Sequence, residues 1–89
     1  GLQALYLKGR LAMSESKWDD AAKHLTSLRT QTGELVGVEC QANLLLSLCL
    51  QKKGEFEQEE QTLKLLLGRD PNHGAGRVAL GTAYLNAGR

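Results

Sequence analysis

Small residues, aromatics and leucines recur along this chain at fixed separations, and that repetition limits the folds open to it. Gly54 and Gly88 are 34 positions apart, and so are Ser47 and Gly81. Trp18 and Phe56, Leu25 and Leu63, and Leu28 and Leu66 are each 38 apart. A single 34-residue period covers both spacings if four extra residues lie around positions 31–38. Each unit carries a small residue on a first helix, then a turn, an aromatic early on a second helix, and leucines at helical spacing. Such a period points to stacked supersecondary units, none of which can bury its apolar flank alone.

Within each unit the spacing is helical. Leu2, Leu5, Tyr6, Gly9, Ala12 and Met13 step by three and four, which predicts a helix over 2–14. Trp18, Ala21, Ala22, Leu25 and Leu28 predict another over 17–30. Ser14 or Ser16 is its expected cap, and Asp19 and Asp20 sit where the helix dipole favours negative charge. Gly33 breaks the chain. Val36, Cys40, Leu44 and Leu48, with Val38, Leu45, Leu46, Cys49 and Leu50 beside them, make a third stripe that is apolar around most of its circumference. This helix is expected to be the central, most buried one. Lys52, Lys53 and Gly54 end it. A fourth helix runs from about Glu55 to Leu67, with Phe56, Leu63, Leu66 and Leu67 inward, until Gly68 and Asp70-Pro71 stop it. Asn72 is the expected cap of a fifth over 73–87, in which Val78, Ala79, Leu80, Ala83, Tyr84 and Leu85 are apolar. The loops are short, so neighbouring helices should run antiparallel.

Composition narrows the function classes. The chain has 89 residues, with 11 Lys+Arg against 10 Asp+Glu. A net charge of +1 argues against a nucleic-acid surface built on bulk positive charge. No apolar run approaches the ~20 residues that span a bilayer, and no signal peptide is visible. The chain opens at Gly1 and stops in mid-pattern, so it is expected to be a piece of a longer protein. Cys40 and Cys49 are nine apart, which on one helix puts them on opposite faces, roughly 13 Å apart along the axis. They are expected to be small apolar fillers, and reduced thiols favour a reducing, cytoplasmic compartment.

Residues able to carry chemistry are few. Gly74-Ala75-Gly76-Arg77 lacks the preceding strand and the Lys-Ser/Thr of a phosphate-binding loop. His24 and His73 have no cysteine or carboxylate partners at metal-ligand spacing. Neither cysteine has an evident base. The acidic pairs fit solvated helix starts, and Trp18 and Phe56 fit core positions beside turns. The expectation is a chain with no catalytic residues, no metal and no cofactor.

The pattern resembles the tetratricopeptide repeat family. Leu80-Gly81-Thr82-Ala83-Tyr84 with Gly88 matches the family's first-helix signature and turn glycine. Leu46-Ser47-Leu48-Cys49-Leu50, Gly54, Phe56 and Asp70-Pro71 match a complete repeat. Lys8-Gly9 with Trp18, Ala21, Leu25 and Leu28 match a more divergent one. The resemblance implies an all-α, right-handed superhelical array of antiparallel helix hairpins: one unit over 1–35, a second over 36–73, and the first helix of a third over 74–89. Glu59 departs from the pattern, because the family prefers Ala there and Ala21 holds that place in the first unit. Looser packing or a snorkelling Glu59 is expected. The extra residues near Gly33 should lengthen the bend or extend the helix over 17–30 by a turn.

The resemblance also implies that first helices line a concave groove. Carried over by position, the groove is Gln3, Tyr6, Arg10 and Met13, then Gln41, Leu44, Leu48, Gln51 and Lys52, then Ala75, Val78, Thr82, Leu85 and Asn86. Tyr6 reads equally as core or ligand contact, and all of these residues could instead pack against neighbouring repeats. Leu45, Ala75 and Ala79 stand where the carboxylate-clamp subclass has its polar grips, which argues against capture of a chain's C-terminus. The expected role is a non-catalytic scaffold binding a protein or peptide segment, without nucleic acid or membrane. The alternative is a structural segment of a longer solenoid that self-associates through exposed helix faces.

Overall fold

Five helices organise this computed structural model, which describes residues 1–88: α1 (Leu2–Ser14), α2 (Trp18–Thr30), α3 (Val36–Lys52), α4 (Phe56–Arg69) and α5 (Gly74–Asn86). No strand occurs among these residues. Arg89, counted above in the third unit, lies outside them. Each helix packs on its chain neighbours, and α3 also touches α5. Among the described residues no extensive contact joins α1 to α4 or α5, so the helices form a ladder rather than a closed bundle. Its Cα extents of 38 × 29 × 16 Å are correspondingly flat.

The apolar side chains gather into two cores with α3 between them. Ala12, Ala21, Leu25, Leu28, Ala42, Leu45, Leu46, Cys49 and Leu50 form the first, from α1, α2 and α3. Cys40, Leu63, Leu66 and Ala83 form the second, from α3, α4 and α5, with Val36, Leu44, Leu67, Ala79 and Leu80 packed on it. α3 therefore buries opposite faces at once, as its nearly all-round apolar sequence predicts. Cys49 belongs to one core and Cys40 to the other, and both are free. Burial of leucines such as Leu25 and Leu66, both 0% exposed, stabilises the ladder by about 1.5–3 kcal/mol each.

Glycine decides how closely two helix pairs approach. A Cβ on Gly9 would lie 3.0 Å from Leu25 Cγ and Cδ2, so α1 meets α2 backbone to side chain there. A Cβ on Gly76 would lie 2.7 Å from Leu66 Cδ2, which brings α5 equally close to α4.

The turn after each first helix recurs in its backbone geometry. Ser16, Gly54 and Gly88 all have left-handed backbones, with φ of 59°, 76° and 78°. The Lys17 N–H donates to the Ala12 carbonyl at 2.8 Å, and the Glu55 N–H donates to Leu50 at 2.9 Å. This geometry corrects the expected cap of α2. Ser16 is spent on the left-handed turn, the Ser14 hydroxyl donates back to Leu11 at 2.7 Å, and Lys17 begins the helix without a side-chain acceptor. At α5 the cap is His73 rather than Asn72, because His73 Nδ1 reaches the Gly76 N–H at 2.9 Å.

α2 ends where expected, whereas α4 runs past its expected end. α2 stops at Thr30, so the extra residues form the bend over 31–35 rather than another turn. The Thr32 hydroxyl donates to the Arg29 carbonyl at 3.1 Å, and Gly33 takes φ 58°. α4 runs through Gly68 to Arg69, because the true stop is Pro71, which pushes Asp70 out of helical geometry. Arg69 Nε then reaches Glu39 Oε2 at 3.3 Å and ties the end of α4 to α3.

Glu59 does not snorkel. It is 3% exposed, its Oε1 has no hydrogen-bond partner, and α3 still packs closely on α4. Burial pushes its carboxyl above the usual range.

Candidate functional site

The first helices of the two complete hairpins enclose an apolar hollow. Leu2, Gln3 and Tyr6 of α1 face Gly37, Val38 and Gln41 of α3 across a space of about 400 Å³. Gly37 opens this wall: a Cβ there would touch nothing within 4 Å. Val38, Leu2 and Tyr6 are half-buried against the first core, which fixes their positions. Gln3 and Gln41 supply amide donors and acceptors at the edges. The Arg10 guanidinium lies 5.9 Å from the Tyr6 ring centroid, stacked beside the hollow.

The other groove residues are distributed around it. Met13 is half-buried on the first core and Leu44 on the second, so both serve packing. Leu48 is 38% exposed on α3. The Lys52 ammonium lies 6.0 Å over the Trp18 ring. On α5, Val78 and Leu85 are 72% and 76% exposed, and the Thr82 hydroxyl donates to the Val78 carbonyl at 3.2 Å. The structure thus brings Tyr6 and Gln41 into one hollow with Arg10 beside them. It leaves Val78, Thr82 and Leu85 outside the residues that line it. Leu2, Gly37 and Val38 were absent from the sequence-derived groove. A glycine in the first turn of an otherwise apolar helix was the available signal for an opening there.

A larger hollow of about 590 Å³ lies on the other side, among α2, α3 and α4. Of the three cations that line it, Lys23, Arg29 and Lys53, one is ion-paired there: Lys53 Nζ sits 2.8 Å from Asp19 Oδ1 and 3.5 Å from Glu55 Oε1. The hydrogen bond from Lys53 holds the Asp19 carboxyl below its usual range, and that same bond raises Lys53. Arg29 donates to Asn43 Oδ1 at 3.3 Å beside it, so this hollow is polar and charged where the first is apolar.

Burial pushes both thiols upward, so Cys40 and Cys49 stay protonated at neutral pH. Among the described residues no group of three His, Cys, Asp or Glu side chains is placed to hold a metal ion. No helix among them is long and apolar enough to cross a membrane. Comparison with family models, with curated proteins and with solved structures found no match for the chain.

Proposed function

We propose that this chain is a non-catalytic interaction scaffold of tetratricopeptide type that takes a peptide segment on the face of α1, α3 and α5. The observation that carries this is the hollow formed by Leu2, Gln3, Tyr6, Gly37, Val38 and Gln41. Apolar walls with amide edges suit an extended or helical peptide anchored by one or two apolar side chains. The ladder of chain-neighbour contacts, the close approach at Gly9 and the recurring left-handed turn support the repeat-type arrangement.

A phage-displayed random-peptide library panned on the folded chain supplies the test. The best peptide should lose roughly tenfold or more in affinity against Gln41→Glu and against Leu48→Glu, with helical content unchanged. Equal affinity for both variants and the parent would remove this face as the binding surface.

A further inference from the structure

The first helix of each hairpin carries one stripe in a shared register. α3 turns Ala42, Leu45 and Cys49 into the core it shares with α2, and all three are at most 5% exposed. At positions 34 further on, α5 turns Gly76, Ala79 and Ala83 toward α4, and Gly76 meets Leu66 there. At positions 38 earlier, α1 carries Ala4, Leu7 and Leu11. The register is sound, because Ser16 and Gly54, also 38 apart, occupy the same left-handed turn. Yet among the described residues no helix covers the α1 stripe: Ala4 is exposed, Leu7 is 57% exposed and Leu11 60%. Two neighbouring leucines left this open on a helix whose counterparts are covered mark a docking surface rather than scattered surface apolarity.

We propose that Ala4, Leu7 and Leu11 dock an amphipathic helix presenting two leucines three positions apart, as Leu25 and Leu28 do on α2 and Leu63 and Leu66 do on α4. The chain itself shows twice what covers this stripe. The occupant is a helix of another hairpin and not a second copy of this chain. In a second copy α2 already lies between α1 and α3, and α4 between α3 and α5, so neither has its leucine pair free. This inference does not rest on the peptide hollow, whose lining residues are different.

The test fuses residues 55–72 of this chain directly ahead of Gly1, so that Gly1 takes the place His73 holds before α5. The added helix should raise Tm by about 5 °C or more. Leu7→Asp/Leu11→Asp should abolish that rise while leaving the unfused chain within about 2 °C of its parent, since both leucines are exposed. An unchanged Tm on fusion, or a rise that survives the double variant, overturns the proposal. Sedimentation showing that the unfused chain dimerises, and that the double variant separates the dimer, would put a second copy on the stripe and overturn the assigned occupant.

Discussion

The two complete hairpins share a plan but fill it with different residues. In the first, Gly9 lets α1 approach Leu25, and Ala21 is 0% exposed at the contact between helices. In the second, the place of Gly9 is taken by Ser47, whose hydroxyl donates to the Leu44 carbonyl at 2.6 Å. The place of Ala21 is taken by Glu59, a carboxylate with one oxygen buried and unpartnered. The first hairpin also shares its core with most of α3, whereas the second packs on α5 through Ala83 and the half-buried Ala79 and Leu80. The same backbone can be sealed with small apolar residues or held against a polar intrusion. The second solution leaves stability unused.

Four substitutions sharpen or break this comparison. Leu25→Ala and Leu63→Ala remove equivalent, fully buried leucines and should each cost about 2–5 kcal/mol in denaturant unfolding. The loss at Leu25 should be the greater, because α2 packs as extensively on α1 as on α3, whereas α4 packs less on α5 than on α3. Equal losses would mean that the two cores are energetically alike. A smaller effect, of opposite sign, is expected at Glu59. Glu59→Ala should stabilise the chain by about 1–2 kcal/mol at neutral pH by removing an unpaired buried carboxylate.

The pH dependence of that gain follows from the raised carboxyl. The folded chain holds this proton more tightly than the unfolded one, so the contribution of Glu59 is fully favourable below the unfolded value near 4.5. It is lost as pH rises through the higher folded value. The gain from Glu59→Ala should therefore grow with pH across that window and vanish in acid. A gain that is flat with pH would assign it to helix propensity instead. The smallest effect belongs to Ser16, which holds φ 59° without being glycine. Ser16→Gly should stabilise by about 0.5–1 kcal/mol, read as a rise in Tm. No change would show that the first turn carries no strain relative to the turn at Gly54.

Helix existence was legible because it depends on spacing. Stripes such as Trp18, Ala21, Leu25 and Leu28 satisfy the helical period whatever lies opposite, and the helix ends fall within two residues of expectation. The opposite facing of Cys40 and Cys49 followed from rotation alone. Caps were less legible, because Ser14, Ser16 and Asn72 are all competent acceptors. Only the path of the turn decided that Ser16 would adopt a left-handed backbone and that His73 would reach Gly76. The hollow was half legible. The resemblance nominated Gln3, Tyr6 and Gln41 by position, whereas Leu2, Gly37 and Val38 join them only through the separation of α1 from α3.

By itself the sequence determined five helices, their order and the residues on each apolar stripe, because these follow from local periodicity and short connections. The tertiary structure decided which stripes found a partner. It covered Ala42 and Gly76, left Leu7 and Leu11 open, and buried Glu59 without a hydrogen bond to Oε1. Burial is a property of two surfaces meeting, and a single helix carries no record of what will be set against it.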